Sequence, residues 1–175
     1  GPKFAEYNVG ATSVAEYGGY YCWGGTYKNG PAISWNDDHN TGTLELSHTG
    51  EDITDTATKL WGSNWRMPTQ AELNALINST NCDVEWIDGT NKKYKDTNIT
   101  GLLCTGKGAY ASNSVFLPAA GYCYDGSVNN QSNYGFYWSS TPDGAYAGDL
   151  LFVSDRQSVS HDFRDTGFSV RAVLK

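Results

Sequence analysis

The apolar and polar positions of this chain divide it into short strand-like runs, one central region with helical spacing, and long polar stretches between them. Residues 3–9 and the aromatic run 20–23 read as strands joined by the linker 10–19, while residues 26–43, rich in Gly, Asn, Asp and Pro, predict a long irregular loop. Ile53, Ala57, Leu60 and Trp61 share one helical face behind a Thr49 and Asp52 capping pattern, which predicts a helix over 51–61. A second helix, over 69–79, opens directly after Pro68 with Thr69 as cap and Glu72 three residues on, and carries Leu73, Leu76 and Ile77 as its apolar stripe. Trp61 and Trp65, between the helices, need a core to enter. Beyond Asn78 a polar hairpin region runs to Gly108, followed by the buried-looking run 114–122.

The C-terminal part has the sharpest contrast. GFYWSST, from Gly135, is an aromatic strand that alternates Phe136 and Trp138 and breaks at Thr141-Pro142-Asp143-Gly144. GFSVRAV, from Gly167, places Phe168, Val170 and Ala172 on one face and Val173 with the stem of Arg171 on the other. Leu150 and Phe152 alternate with Gly148, Asp149, Leu151 and Val153, so one side of that strand faces the core and the other faces outward. Residues 154–166 are polar and show no folding pattern. Trp65, Leu73, Leu76, Phe116, Leu117, Trp138 and Val170 are the predicted core, and Arg66 and Arg171 read as structural tethers.

A chain of 175 residues, 39% hydrophobic and 18% charged, fits one domain with room for a sizeable core, spanning residues 3–175. Gly1-Pro2 reads as the remnant of a cleaved tag, and no apolar run is long enough for a membrane span. A net charge of -7 argues against a nucleic-acid partner. Twenty Gly and twelve Tyr, with many Asn, Ser and Thr, match both a surface of binding loops and a chain that merely turns often. Four cysteines without C-x-x-C spacing indicate no zinc or redox motif. They leave two arrangements open: disulfides, with Cys82–Cys104 and Cys22–Cys123 the favoured pairing, or four buried free thiols.

Candidate chemistry is sparse. His39, His48 and His161 lie near no recognisable nucleophile motif, and acidic pairs fall in loops or at helix starts, where caps explain them. Trp35-Asn36-Asp37 matches the tripeptide with which calcium-dependent lectins ligate their metal, but the upstream tripeptide those lectins also need is missing. The sequons at Asn78, Asn98 and Asn130 mark polar turns.

Asn8-Val9-Gly10-Ala11-Thr12, Glu16 to Tyr21 leading to Trp23-Gly24, WRMPTQAEL from Trp65, FLPAAGY from Phe116, YWSST from Tyr137 and GFSVRAV from Gly167 occur in this order. Together they resemble the FISUMP-type domains of exported gut-bacterial proteins, a branch of the C-type-lectin-like superfold. The resemblance implies an α+β domain: a twisted antiparallel sheet that pairs the N- and C-terminal strands, two helices packed on it, and long irregular loops carrying a ligand surface. WRMPTQAEL also resembles a strand-to-helix motif of the formylglycine-generating enzymes. Those enzymes use a cysteine pair near the C-terminus, whereas no cysteine follows Cys123 here.

The expectation is therefore a non-enzymatic ligand-recognition module, an adhesin or receptor-binding domain, extracellular or at a cell surface, or at the tip of a phage tail fibre. Its partner would be a protein or glycan on a cell surface, and no cofactor or metal is implied. A calcium-dependent lectin, or a relative of the formylglycine-generating enzymes, is the alternative. The C-terminus also resembles those of variable proteins of diversity-generating retroelements, in which Asn codons mutated at adenine cannot become Lys, Glu, Gln, Met or Trp. From 143 to 168 this chain has no Lys, Glu, Met or Trp, and Gln157 is the lone Gln. Gly148, Asp149, Leu151, Val153, Asp155, Ser158, Ser160, His161, Asp162, Phe163, Asp165 and Thr166 are the candidate ligand-binding positions, expected on one exposed face. An ordinary solvated hairpin accounts for the same polar residues.

Overall fold

The computed structural model describes residues 1–25, 55–124 and 126–175. The predicted loop 26–43 with Trp35-Asn36-Asp37, and the Thr49 and Asp52 capping pattern, lie outside the described residues. The chain is α+β, with two α-helices and several small antiparallel sheets among the described residues. In order come α1 (Thr56–Trp61), β1 (Trp65–Arg66), α2 (Gln70–Ile77), β2 (Cys82–Ile87), β3 (Gly101–Gly106), β4 (Ser114–Pro118), β5 (Tyr122–Tyr124), β6 (Ser127–Asn129), β7 (Gly135–Asp143), β8 (Tyr146–Phe152), β9 (Gln157–Phe163) and β10 (Val173–Leu174). The sheets are β1-β10, β2-β3-β4, β5-β6 and β7-β8-β9. Among the described residues no helix is long and apolar enough to cross a membrane.

Both helices begin on side-chain caps. Asp55 accepts from Thr58 N at 3.0 Å and from Met67 N at 3.0 Å, joining the start of α1 to the chain beyond β1. At α2 the capping box is complete, with Thr69 Oγ1 accepting from Glu72 N and Glu72 Oε2 accepting from Thr69 N at 2.9 Å. Arg66 then grips the Glu72 carboxylate with two nitrogens, at 2.8 and 2.7 Å, so the strand-to-helix junction is rigid. The helix ends at Ile77, before the predicted limit of 79, because Asn78 is already extended.

Two apolar layers sandwich β7. Trp138 enters the layer formed by Val9, Tyr21, Trp23, Met67, Phe168, Val170 and Ala172, while the adjacent Tyr137 enters the layer of Leu73, Leu76, Leu102, Leu117, Leu150 and Phe152. Of the predicted core, Trp65 alone is only half-buried, lying edge-on to Trp61 at 5.3 Å. Residues 3–9 run beside the C-terminus without forming a regular strand. Ala5 N donates to Ala172 O and Val9 N to Val170 O, so four steps of one segment match two of the other and the backbone bulges around Asn8. Asn8 turns inward, donating to Tyr137 Oη and Tyr17 O while accepting from Arg171 Nε at 2.9 Å. Arg171 is fully buried and also donates to Ala5 O, the tethering role expected of it.

Three further expectations change. β7 does not break at Thr141; it continues to Asp143 through an irregularity between Trp138 and Pro142, where the register passes over Ser139, Ser140 and Thr141 and resumes with Pro142 opposite Ala147. Much of the supposedly patternless 154–166 is strand β9, paired along its whole length with β8. All four cysteines are free, including the favoured pairs: in the β2-β3 ladder Cys82 faces Gly106 and Cys104 faces Val84, and the 167–168 segment separates Cys22 from Cys123 by bridging both Tyr21 and Cys123.

Candidate recognition surface

The β8-β9 hairpin carries nearly all the candidate positions, and its register distributes them. Residues directly opposite share a face, so Ala147, Asp149 and Leu151 go with Asp162, Ser160 and Ser158, while Tyr146, Gly148, Leu150 and Phe152 go with Phe163, His161, Val159 and Gln157. The second face receives α2, whose Leu73 and Leu76 pack on Leu150 and Phe152. Both of those strand residues point inward as predicted. The first face carries Trp138 and Ala147 into the other core layer. A central strand covered on both sides cannot present an outward row, so the expected exposed face is absent and the twelve positions divide between two faces and two turns.

Gly148 and Asp149 are enclosed. A Cβ on Gly148 would meet Gln70 Cδ at 2.8 Å, and Gln70 Nε2 donates to Ser160 O at 2.7 Å, so this glycine is what lets α2 sit down on the hairpin. Asp149 is wholly buried, and neither carboxyl oxygen accepts a well-formed hydrogen bond. Burial first, then the Asp162 carboxyl diagonally across on β9, pushes the Asp149 acid up to about 9. The two carboxyls form a hydrogen bond only when one of them holds a proton. Ser158, Ser160, Asp162 and Leu151 lie on this same face, with Ser158 exposed and the others half-buried.

Surface is offered at the two ends of the hairpin. At the β7-β8 end, Tyr146 stacks on His161 at 5.1 Å and 25° and tilts against Phe163 at 5.1 Å, with His161 Nδ1 2.9 Å from Asp143 Oδ2. Phe163 is 62% exposed and Tyr146 36%, large apolar surfaces that a core-only role does not explain. Arg164 pins this end from beneath: it is fully buried, its guanidinium lies 4.2 Å from the Trp23 ring centroid, and it donates to Tyr146 O at 3.0 Å and Gly144 O at 2.8 Å. Asp165 and Thr166 continue from it as a half-buried turn, in which Asp165 O accepts from Cys22 Sγ.

At the opposite end, the β8-β9 turn brings Val153 and Asp155 to the edge of a groove of about 480 Å³ that also takes in Trp86, Ser132, Asn133, Tyr134 and Arg156. The sequence reading did not single out Tyr146, Arg164 or the groove's aromatic residues. An aromatic residue inside a polar run, as Trp86 and Tyr134 are, is the signal that was there to use. Among the described residues no group of three or more His, Cys, Asp or Glu is placed to hold a metal ion. Cys22, Cys104 and Cys123 are buried and Cys82 half-buried; burial raises all four thiols, Cys22 and Cys104 each to about 12. Comparison of the chain with known protein families, curated proteins and solved structures finds no match.

Proposed function

We propose that this chain is a ligand-recognition module that reads its partner through the Asp143, Tyr146, His161 and Phe163 end of the β8-β9 hairpin. The observation that carries this reading is the exposure of stacked aromatic rings on a backbone clamped by the buried Arg164. Rigid aromatic residues give large contact area at low conformational cost, and clamping them in advance removes part of the ordering penalty of binding. The resemblance to FISUMP-type, C-type-lectin-like domains of exported proteins supports a place at a cell surface or fibre tip and a protein or glycan partner. Screening the domain on glycan arrays and surface-protein libraries, alongside a variant with Tyr146, His161 and Phe163 all changed to Ala, tests the reading. A ligand retained by that variant at full affinity would refute the site.

The retroelement origin is a second reading, favoured by the residues absent between 143 and 168. It places diversification chiefly at the ends of the hairpin, because a side chain at Gly148 would have to displace Gln70. The gene would then have a near-repeat that differs almost only at adenines, with a reverse transcriptase nearby. A genomic neighbourhood with neither removes this origin and leaves the binding domain standing.

A further inference from the structure

We propose that the groove at the opposite end of the hairpin is a second, separate binding site, and that its ligand is a neutral saccharide bound without a metal. Its volume of about 480 Å³ falls in the roughly 300–1,000 Å³ range of small-molecule sites. Two aromatic rings are set into it and held from behind by the core. Trp86 stands edge-on to Phe152 at 6.3 Å, and Tyr134 lies parallel to Phe136 at 5.9 Å and 10°, so one face of Tyr134 is occupied and the remainder of the ring meets the groove. Such rings suit the C–H face of a pyranose, which is flat and apolar while its rim is hydroxylated.

The rest of the lining matches that rim. Ser132 and Asn133 offer a hydroxyl and an amide, each both donor and acceptor, from a loop that holds Ser132 at φ 72°, a left-handed conformation few non-glycine residues adopt. Tyr17 Oη lies 3.0 Å from Ser132 Oγ and braces that loop. Asp155 and Arg156, adjacent in the β8-β9 turn, present paired acceptors beside a fork of donors, the geometry that neighbouring hydroxyls satisfy. Competing ligand classes fit less well. Val153 is the one aliphatic residue of the lining, which leaves no apolar pocket to anchor a peptide side chain, and the chain's net charge of -7 opposes nucleotides and other anions. The lining carboxylates are Asp88 and Asp155, and Asp88 Oδ1 is already engaged by the N–H groups of Thr90 and Lys92, so the oxygen ligands that calcium needs do not converge here.

The test is an NMR titration of the isotope-labelled protein with cellotriose, maltotriose, mannotriose and triacetylchitotriose in turn. At least one is expected to move the Trp86 indole N–H and the Asn133 side-chain amide while leaving the Tyr146 and Phe163 amides in place. Asn133→Ala and Arg156→Ala alter exposed side chains and should leave the fold intact while weakening that binding about tenfold each, and Trp86→Ala should do the same through a lost ring contact. Trp86 also packs on Phe152, so the two exposed-site variants decide the matter if Trp86→Ala fails to fold. The proposal is overturned if none of the four sugars shifts the groove resonances, if the shifts map to the Tyr146 end, or if peptides occupy the groove and sugars do not. The triple variant at Tyr146, His161 and Phe163 should bind the sugar normally, which separates failure of one site from failure of the other.

Discussion

Asp149 should make this protein less stable as pH rises across the neutral range, the reverse of the usual behaviour of a paired carboxylate. Its side chain is fully enclosed, its oxygens lack well-formed hydrogen bonds, and the Asp162 carboxyl lies diagonally across from it on β9, so the folded state holds the acid's proton up to about pH 9. In the unfolded chain the same group ionises near 3.9. Between those values the folded state binds the extra proton, so unfolding stability falls by about 1.4 kcal/mol per pH unit. The contribution is fully present below about pH 3.9, declines through the window and is lost once pH passes about 9. From about pH 5 to about pH 8 the loss comes to roughly 4 kcal/mol, a large share of the 5–15 kcal/mol that holds a typical domain together.

Urea unfolding of the wild type and Asp149→Asn at those two pH values checks this. Asn keeps the shape and cannot ionise, so the variant should show a much flatter pH dependence, and its stability relative to the wild type should rise by roughly that 4 kcal/mol from the lower pH to the higher. Glu72 does not confuse the comparison. Arg66 and the α2 cap outweigh its burial and lower its pKa, so its contribution to stability is present above the ordinary carboxylate range and is lost only as pH falls below it. A wild type that gained stability from pH 5 to pH 8 relative to Asp149→Asn would refute the reasoning, as would parallel slopes for the two proteins.

Other outcomes follow from the packing. Leu76→Ala, at the α2 contact with Leu150 and Phe152, should cost about 2–5 kcal/mol in denaturant melts. Arg171→Met should cost about 3 kcal/mol or more, because the Asn8 carbonyl and Ala5 O lose their donor in a buried network; a loss below 1 kcal/mol in the same melts would show that the tether is dispensable. In denaturant without reductant, a thiol reagent should titrate all four cysteines, and in the native protein Cys82, which is not fully buried, should react first.

What the sequence revealed and what it hid follow a common physical line. α2 was legible because a proline, a cap and a box-completing Glu72 are local signals that act within a few residues. The pairing of β8 with β9 was not, since the set opposite the polar Ser158, Ser160 and Asp162 is Val159, His161 and Phe163, in which a polar imidazole separates the two apolar residues and weakens the period-two signal. Asp149 misled for a related reason: alternation identifies an outward face only when one side of a strand is solvated, and β8 has α2 on one side and the Trp138 layer on the other. The groove was out of reach altogether, because Trp86, Asn133 and Arg156 meet only after three separate segments have packed together.

The central position of β8 also decides where recognition can sit on this hairpin. Enclosed along its middle, the strand takes a side chain at Gly148 only if Gln70 and Ser139 shift, and a permanent charge at Asp149 only with loss of stability, so variable contact residues are favoured at its ends. Seven residues of strand at about 3.3 Å each put those ends roughly 20 Å apart. No single monosaccharide or side chain spans that distance, so a ligand at the Tyr146 end and a saccharide in the Trp86 groove would be independent contacts. Under the two proposals together, contacts held at fixed separation by one hairpin would raise each other's effective concentration, and attachment would then depend on ligand spacing more steeply than on the affinity of either end alone.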